Sequence, residues 1–207
     1  MYKVIASGSK ANAVLYFGTI LVDCGVTYST IKPYAYDLQI VLLTHPHGDH
    51  FNYAAIKKLA DNRPTLRIGC CDWMSKYLAG FKNVDVYTIG RLYDYGPFQV
   101  SPVKLYHNTS NCGYRIYRNG KKVFHATDSA HLNGITAKGY DLYAVEHNYN
   151  EETIDQLVSS LRDRGEYAYQ KDAINNHLSE QQASDFIYKN RGENSRVLRL
   201  HETRSLL

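Results

Sequence analysis

The stretch His45-Pro46-His47-Gly48-Asp49-His50 constrains this chain more than any other, because with Thr44 it follows directly on the apolar run Ile40–Leu43. Four metal-ligand types, His45, His47, Asp49 and His50, therefore stand in one loop at a strand's end. Imidazole suits zinc and related ions, and a carboxylate adds charge compensation. His45 and His47, two apart, can converge on one ion. Asp49 and His50 lie further round the loop and point to a second ion nearby. Two ions about 3.5–4 Å apart are the arrangement that clamps the attacking and leaving oxygens of a phosphate displacement. The competing reading, a polar surface loop with scattered histidines, leaves so dense a set of ligand types unexplained.

The flanking sequence tells what carries that loop. Short apolar runs bounded by Gly, Asp or Pro read as strands: Val4–Ala6, Ala13–Phe17, Ile20–Val22 and Ile40–Thr44. Phe51–Ala60 has Ala54, Ala55, Ile56 and Leu59 at helical spacing, and Leu66–Cys70, Asp72–Leu78 and Val84–Ile89 follow as strand, helix and strand. In the second half Tyr114–Tyr117 and Lys122–His125 flank Asn119-Gly120, a strong hairpin signal. Leu142–Val145 and Val197–Leu200 read as strands, and Glu151–Arg162 as a helix with an inner stripe of Ile154, Leu157, Val158 and Leu161. Ser179, with Gln182 three residues on, resembles a capping box opening a helix over Glu180–Lys189.

With 207 residues and no linker or low-complexity stretch, the chain is expected to form a single domain over 1–207, built of two fused and pseudo-symmetric halves. No apolar run approaches the roughly 18 residues of a membrane span. Met1–Lys10 lacks a secretory pattern, so a cytoplasmic protein with no membrane partner is expected. Cys24, Cys70, Cys71 and Cys112 form no CxxC pair and are expected as reduced thiols. The net charge of +4 is mild and carries no basic stripe for duplex binding. The 19 tyrosines suit interfaces and stacking as well as strand positions.

HxHxDH after a buried strand resembles the signature of the metallo-β-lactamase superfamily. That resemblance implies a further His after a central strand, an Asp bridging both metals and a His near the C-terminus. His107 after Val103–Tyr106, Asp128 after Val123–Ala126 and His201 after the final strand fill those positions in order. The implied fold is a four-layer αβ/βα sandwich of the α/β class. The implied sites are His45, His47 and His107 on one ion, Asp49, His50 and His201 on the other, and Asp128 on both. The implied cofactors are two divalent ions, zinc foremost and manganese or iron suitable, with a bridging hydroxide as nucleophile.

Two further segments narrow the branch. Ser7-Gly8-Ser9-Lys10-Ala11-Asn12-Ala13, with Leu21-Val22-Asp23-Cys24-Gly25, resembles the opening of the nuclease and phosphodiesterase branch, in which Asp23 would brace the metal loop. Val145-Glu146-His147-Asn148-Tyr149 and Asn176-His177-Leu178-Ser179 resemble two motifs of the tRNA 3′-processing endonucleases. The carry-over makes Glu146 the residue that orients His177, and His177 the general acid for the leaving oxygen. Asp49 joins them in the catalytic set, and His147 is the competing acid. The loop Asn108–Tyr114 is a candidate phosphate and base contact, through Ser110, Asn111 and Tyr114.

This chain also departs from the family. It has no inserted segment able to form a tRNA-gripping arm, Phe51-Asn52-Tyr53 replaces a Gly-bearing continuation, and Glu202 stands where an aromatic is usual. The expected function is thus phosphodiester hydrolysis of a nucleotide, cyclic nucleotides first, similar to small arm-less phage-type members, in a homodimer. The alternatives are a nuclease on DNA or RNA, a lactone or thioester hydrolase, and a metal-stabilised binding module without turnover.

Overall fold

Strand β4, Ile40–Leu43, is buried at every position, as a strand must be when it pairs on both sides inside a parallel sheet. In this computed structural model, which describes residues 1–154, 156, 160, 164 and 174–202, it is central to the first of two compact units. That unit, Met1–Arg91, holds β1 (Tyr2–Ala6), β2 (Ala13–Tyr16), β3 (Ile20–Val22), β4, β5 (Arg67–Cys71) and β6 (Val84–Tyr87), in the sheet order β1-β2-β3-β4-β5-β6. The β1–β2 and β2–β3 pairs are antiparallel, and the pairs from β3 to β6 are parallel. Each parallel step needs a crossover, and the chain supplies short helices at Tyr28–Ile31 and Asp72–Ser75 and a longer one at Tyr53–Asn62. The longer helix buries Ala55, Ile56 and Leu59 in the core beneath the sheet, and starts where Asn52 Oδ1 accepts from Ala55 N at 3.1 Å.

The second unit, Leu92–Leu207, repeats the plan. Its strands are β7 (Tyr93–Asp94), β8 (Gln99–Tyr106), β9 (Ser110–Arg118), β10 (Lys121–Ala126), β11 (Leu142–Glu146) and β12 (Arg196–Leu200). They form a sheet ordered β12-β11-β10-β9-β8-β7, antiparallel from β7 to β10 and parallel from β10 to β12. Asn119 and Gly120 both take positive φ, 52° and 70°, as a two-residue type I′ turn requires, so the expected hairpin forms there. The capping box is present as read: Ser179 Oγ accepts from Gln182 N, and Gln182 reaches back to Ser179 N. It opens the helix Glu180–Asn190, which packs Ala183, Phe186 and Ile187 against the β10–β11 face. Of the helix expected over Glu151–Arg162, residues 151–154 are helical and Ile154 is buried; several of its later positions lie outside the described residues.

Both sheets are mixed, and each carries helices. The α/β class is as expected, and the sequence-read strands survive with ends shifted by a few residues. One expectation is corrected. Ser110 to Tyr114 is the start of β9 rather than a loop, and Tyr114 is fully buried, so its ring cannot stack on a ligand.

All four cysteines are buried and unbridged. Burial pushes the Cys24 and Cys70 thiols up to about 12, so neither forms a thiolate near neutrality. In a thiol titration at pH 8 the native chain should react with less than one equivalent, and all four thiols should react on unfolding.

Candidate metal centre

In the first unit the ligand loop leaves β4 and is fixed from beneath by Asp23. This residue sits just past β3 with φ 58°, a left-handed conformation that few side chains other than Asp and Asn accept. Its Oδ1 accepts from Thr44 N at 2.9 Å, and its Oδ2 from Thr44 Oγ1 at 2.9 Å and from His50 Nδ1 at 2.7 Å. Burial pushes the Asp23 carboxyl up, and the bonds and charge from His50 and Thr44 oppose that shift. Because Nδ1 of His50 bonds Asp23, its Nε2 is turned towards Asn12 and Asp49, the side from which a carboxylate-braced histidine would meet an ion. Asp23 thus braces the loop as expected.

The other loop groups gather around His50. The His45 ring centroid lies 4.2 Å from that of His50 and 4.6 Å from that of His47. Asp49 Oδ2 is 3.3 Å from His50 Nε2. His45 and His50 are fully buried, whereas His47 and Asp49 are half-buried. Asn12 is a contributor that the spacing did not single out. Its amide nitrogen lies 3.1 Å from Asp49 Oδ2 and 2.9 Å from His50 Nε2, meeting two acceptor atoms that would face a cation. Gly8 holds that amide in place, accepting from Nδ2 and donating to Oδ1, both at 3.0 Å.

The backbone is as closely fitted as the side chains. Asn12 N donates to Asp49 O at 2.6 Å, Cys24 N to His50 O at 2.9 Å, and Asn52 N to Cys24 O at 2.8 Å. Gly25 passes so near that an added Cβ would lie 1.8 Å from Asp49 O. Gly25→Ala should therefore displace the ligand loop. The expected cost is about 1–3 kcal/mol, the scale of forced overpacking, read as a lower denaturation midpoint together with fewer ions bound per chain.

The second unit brings together His107, Asp128, Glu146, His177 and His201. His107 follows β8, Asp128 follows β10, Glu146 ends β11 and His201 follows β12, so parallel strand ends deliver three of them to one edge of the sheet. Asp128 and His201 adopt φ 57° and 51°, so both hold strained backbone at the site. Asp128 Oδ2 lies 3.9 Å from His107 Nε2, and Asp128 Oδ1 lies 3.8 Å from His201 Nε2. Both gaps exceed a hydrogen bond. They are nearer the spacing of two ligands that share an ion, each about 2.0–2.2 Å from it. One carboxylate oxygen thus faces each imidazole. His107 Nδ1 donates to the Asn176 carbonyl at 3.0 Å, which fixes the tautomer and turns Nε2 towards Asp128. The Asn148 amide lies 2.9 Å from His201 Nδ1, a contact the sequence did not reveal.

Glu146 is fully buried, and both of its oxygens are engaged. Oε2 accepts from Ser129 N at 3.0 Å and Leu178 N at 3.3 Å, and Oε1 accepts from His177 Nδ1 at 2.5 Å. Ligand-type atoms of Asp128, Glu146, His177 and His201 all lie within 4.8 Å of one another. Burial pulls the His177 imidazole down, but the Glu146 hydrogen bond and the charges of Glu146 and Asp128 outweigh it, and the net shift is upward. His147, the competing acid, is engaged differently. Its Nδ1 donates to Val145 O at 3.0 Å, and burial lowers its pKa. His125 is buried on β10, and His131 lies with its ring 4.2 Å from that of Tyr106. Asn111, read as a phosphate contact, is wholly buried and spends its amide on Thr127 O and Asp128 O at 3.0 and 2.6 Å.

Comparison with known proteins agrees with this organisation. The family model described as a beta-lactamase superfamily domain matches residues 19–155, and the chain belongs to that superfamily. A UPF0173 metal-dependent hydrolase of Thermococcus onnurineus is 30% identical over 145 residues, which is 62% of this chain and 62% of that protein. A second such hydrolase, from Thermococcus kodakarensis, is 29% identical over the same shares. The match thus spans less than two thirds of either relative. Among solved structures, the metallo-beta-lactamase fold protein YhfI of Bacillus subtilis has a TM-score of 0.74 at 18% identity, covering 100% of this chain and 87% of that one. The short form of human tRNase Z gives 0.68 at 17% identity, covering 98% and 92%. A diphosphatase of the PhnP family gives 0.64 at 14% identity, covering 97% and 85%. The fold is that of the metallo-β-lactamases.

Proposed function

We propose that the chain is a metal-dependent hydrolase that cleaves a phosphodiester of a nucleotide, cyclic nucleotides foremost, with DNA or RNA strands as the alternative substrates. The observation that carries this reading is the contact between buried Glu146 and His177 beside Asp128 and His201. The carboxylate on Nδ1 orients the ring and favours its protonated form, and the imidazolium then presents Nε2–H as a proton donor. An alkoxide leaving from phosphorus needs such a donor.

The donor chemistry fits two divalent ions, zinc, manganese or iron. By the family resemblance, His45, His47 and His107 would hold one, Asp49, His50 and His201 the other, and Asp128 both. When bound, the ions supply an activated water and stabilise charge on the phosphoryl oxygens. Asp23 keeps His50 in the tautomer that presents Nε2, and Asn176 does the same for His107. Glu146 orients His177, and His177 delivers a proton to the leaving oxygen. Two structural neighbours, a tRNase Z and a diphosphatase, bear names of phosphorus chemistry and support this class. The buried thiols suit the reducing cytoplasm, and no helix among the described residues is long and apolar enough to cross a membrane. A homodimer is the proposed assembly, to be checked by light scattering.

The test is hydrolysis of bis(p-nitrophenyl) phosphate by metal-loaded protein, beside a lactone and a thioester. Phosphodiester cleavage alone is expected. Lactone or thioester cleavage without it would overturn the reading.

A further inference from the structure

We infer that the cleft beside His107 binds a second, non-scissile phosphate of the substrate, together with the sugar that carries it. This rests on the phosphodiesterase reading and narrows its substrates to nucleotides with a phosphate beyond the one cleaved: oligonucleotides, or cyclic nucleotides of two or more units.

The cleft lies wholly within the second unit and has a volume of about 400 Å³. That is the lower range of ligand pockets, about 300–1,000 Å³, and exceeds what a lone phosphate would fill. Besides His107 and the Tyr106 hydroxyl, its polar lining is Lys104, Asn108, Thr109, Ser110, Asn175 and Asn176, with no Asp or Glu among the lining residues. One cation among amides and hydroxyls, with no carboxylate beside them, can supply the donors that phosphate oxygens require. Lys104 is half-buried on β8, between the core residues Val103 and Leu105, so the strand fixes the base of its side chain. The Asn176 carbonyl holds His107 Nδ1 at 3.0 Å, which ties the cleft wall to a proposed ligand. A nucleobase fits the lining less well. The one carbocyclic ring lining it belongs to Tyr106, and that ring already lies 4.2 Å from His131.

The experiment is calorimetric titration of metal-loaded protein with thymidine 3′,5′-bisphosphate and with thymidine 5′-monophosphate, which differ only in the second phosphate. The bisphosphate should bind the native chain about tenfold more tightly. Lys104→Gln should erase that preference and Lys104→Arg should retain it. Lys58→Gln, which removes an exposed charge in the other unit, should leave it intact. Equal affinities in the native chain, a preference that survives Lys104→Gln, or binding of neither nucleotide would overturn the inference. Failure of the phosphodiesterase reading alone looks different: the bisphosphate binds with the stated preference, but no phosphodiester is cleaved.

Discussion

His177→Ala should leave the metal content of the chain unchanged and slow cleavage of a nucleotide diester by about 10²–10⁴-fold, the scale of a lost general acid. The loss should fall on kcat rather than KM, because the proton is needed only as the leaving oxygen departs. It should also shrink with a p-nitrophenyl leaving group, whose phenolate departs without a proton. A merely structural His177 would show no such dependence on the leaving group. Glu146→Gln offers the complementary measurement. The substitution keeps the shape but removes the charge at a position wholly buried and bonded to Ser129 N, Leu178 N and His177 Nδ1. It should lower turnover with the same leaving-group dependence, since Glu146 acts through His177. An equal loss on every substrate would instead indicate a disturbed fold.

Asp128→Asn should cost the centre at least one of its two proposed ions. Asp128 presents one oxygen to His107 and the other to His201, and a neutral amide would neither bridge the two proposed ions nor compensate their charge. Asparagine is the more telling replacement because the residue has φ 57°, which Asn tolerates well, whereas alanine adds about 1–2 kcal/mol of left-handed strain. Elemental analysis should find at most one ion per chain in Asp128→Asn, and hydrolysis should fall to the level of the blank. In Asp128→Ala the same losses should come with a lower denaturation midpoint.

Much of the candidate centre is legible because its proposed ligands sit at strand ends, and strand ends follow from apolar runs that stop at polar residues. Ile40–Leu43 stops before His45, Val123–Ala126 before Asp128, and Val197–Leu200 before His201. The capping box at Ser179 and the hairpin at Asn119-Gly120 are local rules, and local rules need no tertiary knowledge. What escaped is non-local. Nothing in the spacing reveals that Asn12 meets Asp49 and His50, 37 and 38 residues away, or that the Asn148 amide meets His201, 53 residues away. The left-handed conformations of Asp23, Asp128 and His201 are equally invisible, because the surrounding fold imposes them against the residues' own preference. The segment after His107 differs from the expected loop for the same reason. Asn108 and Ser110 suggest a turn, but pairing of Ser110 with Tyr106 already starts β9 and commits Asn111 and Tyr114 to the interior.

The measurement that bears most directly on the central claim follows cleavage of a p-nitrophenyl nucleotide ester before chelation, after chelation, and after stepwise return of zinc or manganese, with ions counted at each step. Cleavage should vanish with the ions and return as the count climbs to two per chain in the native protein, while Asp128→Asn recovers neither. Cleavage that persists in the metal-free chain, or full activity with no ion bound by the seven residues, would contradict the account.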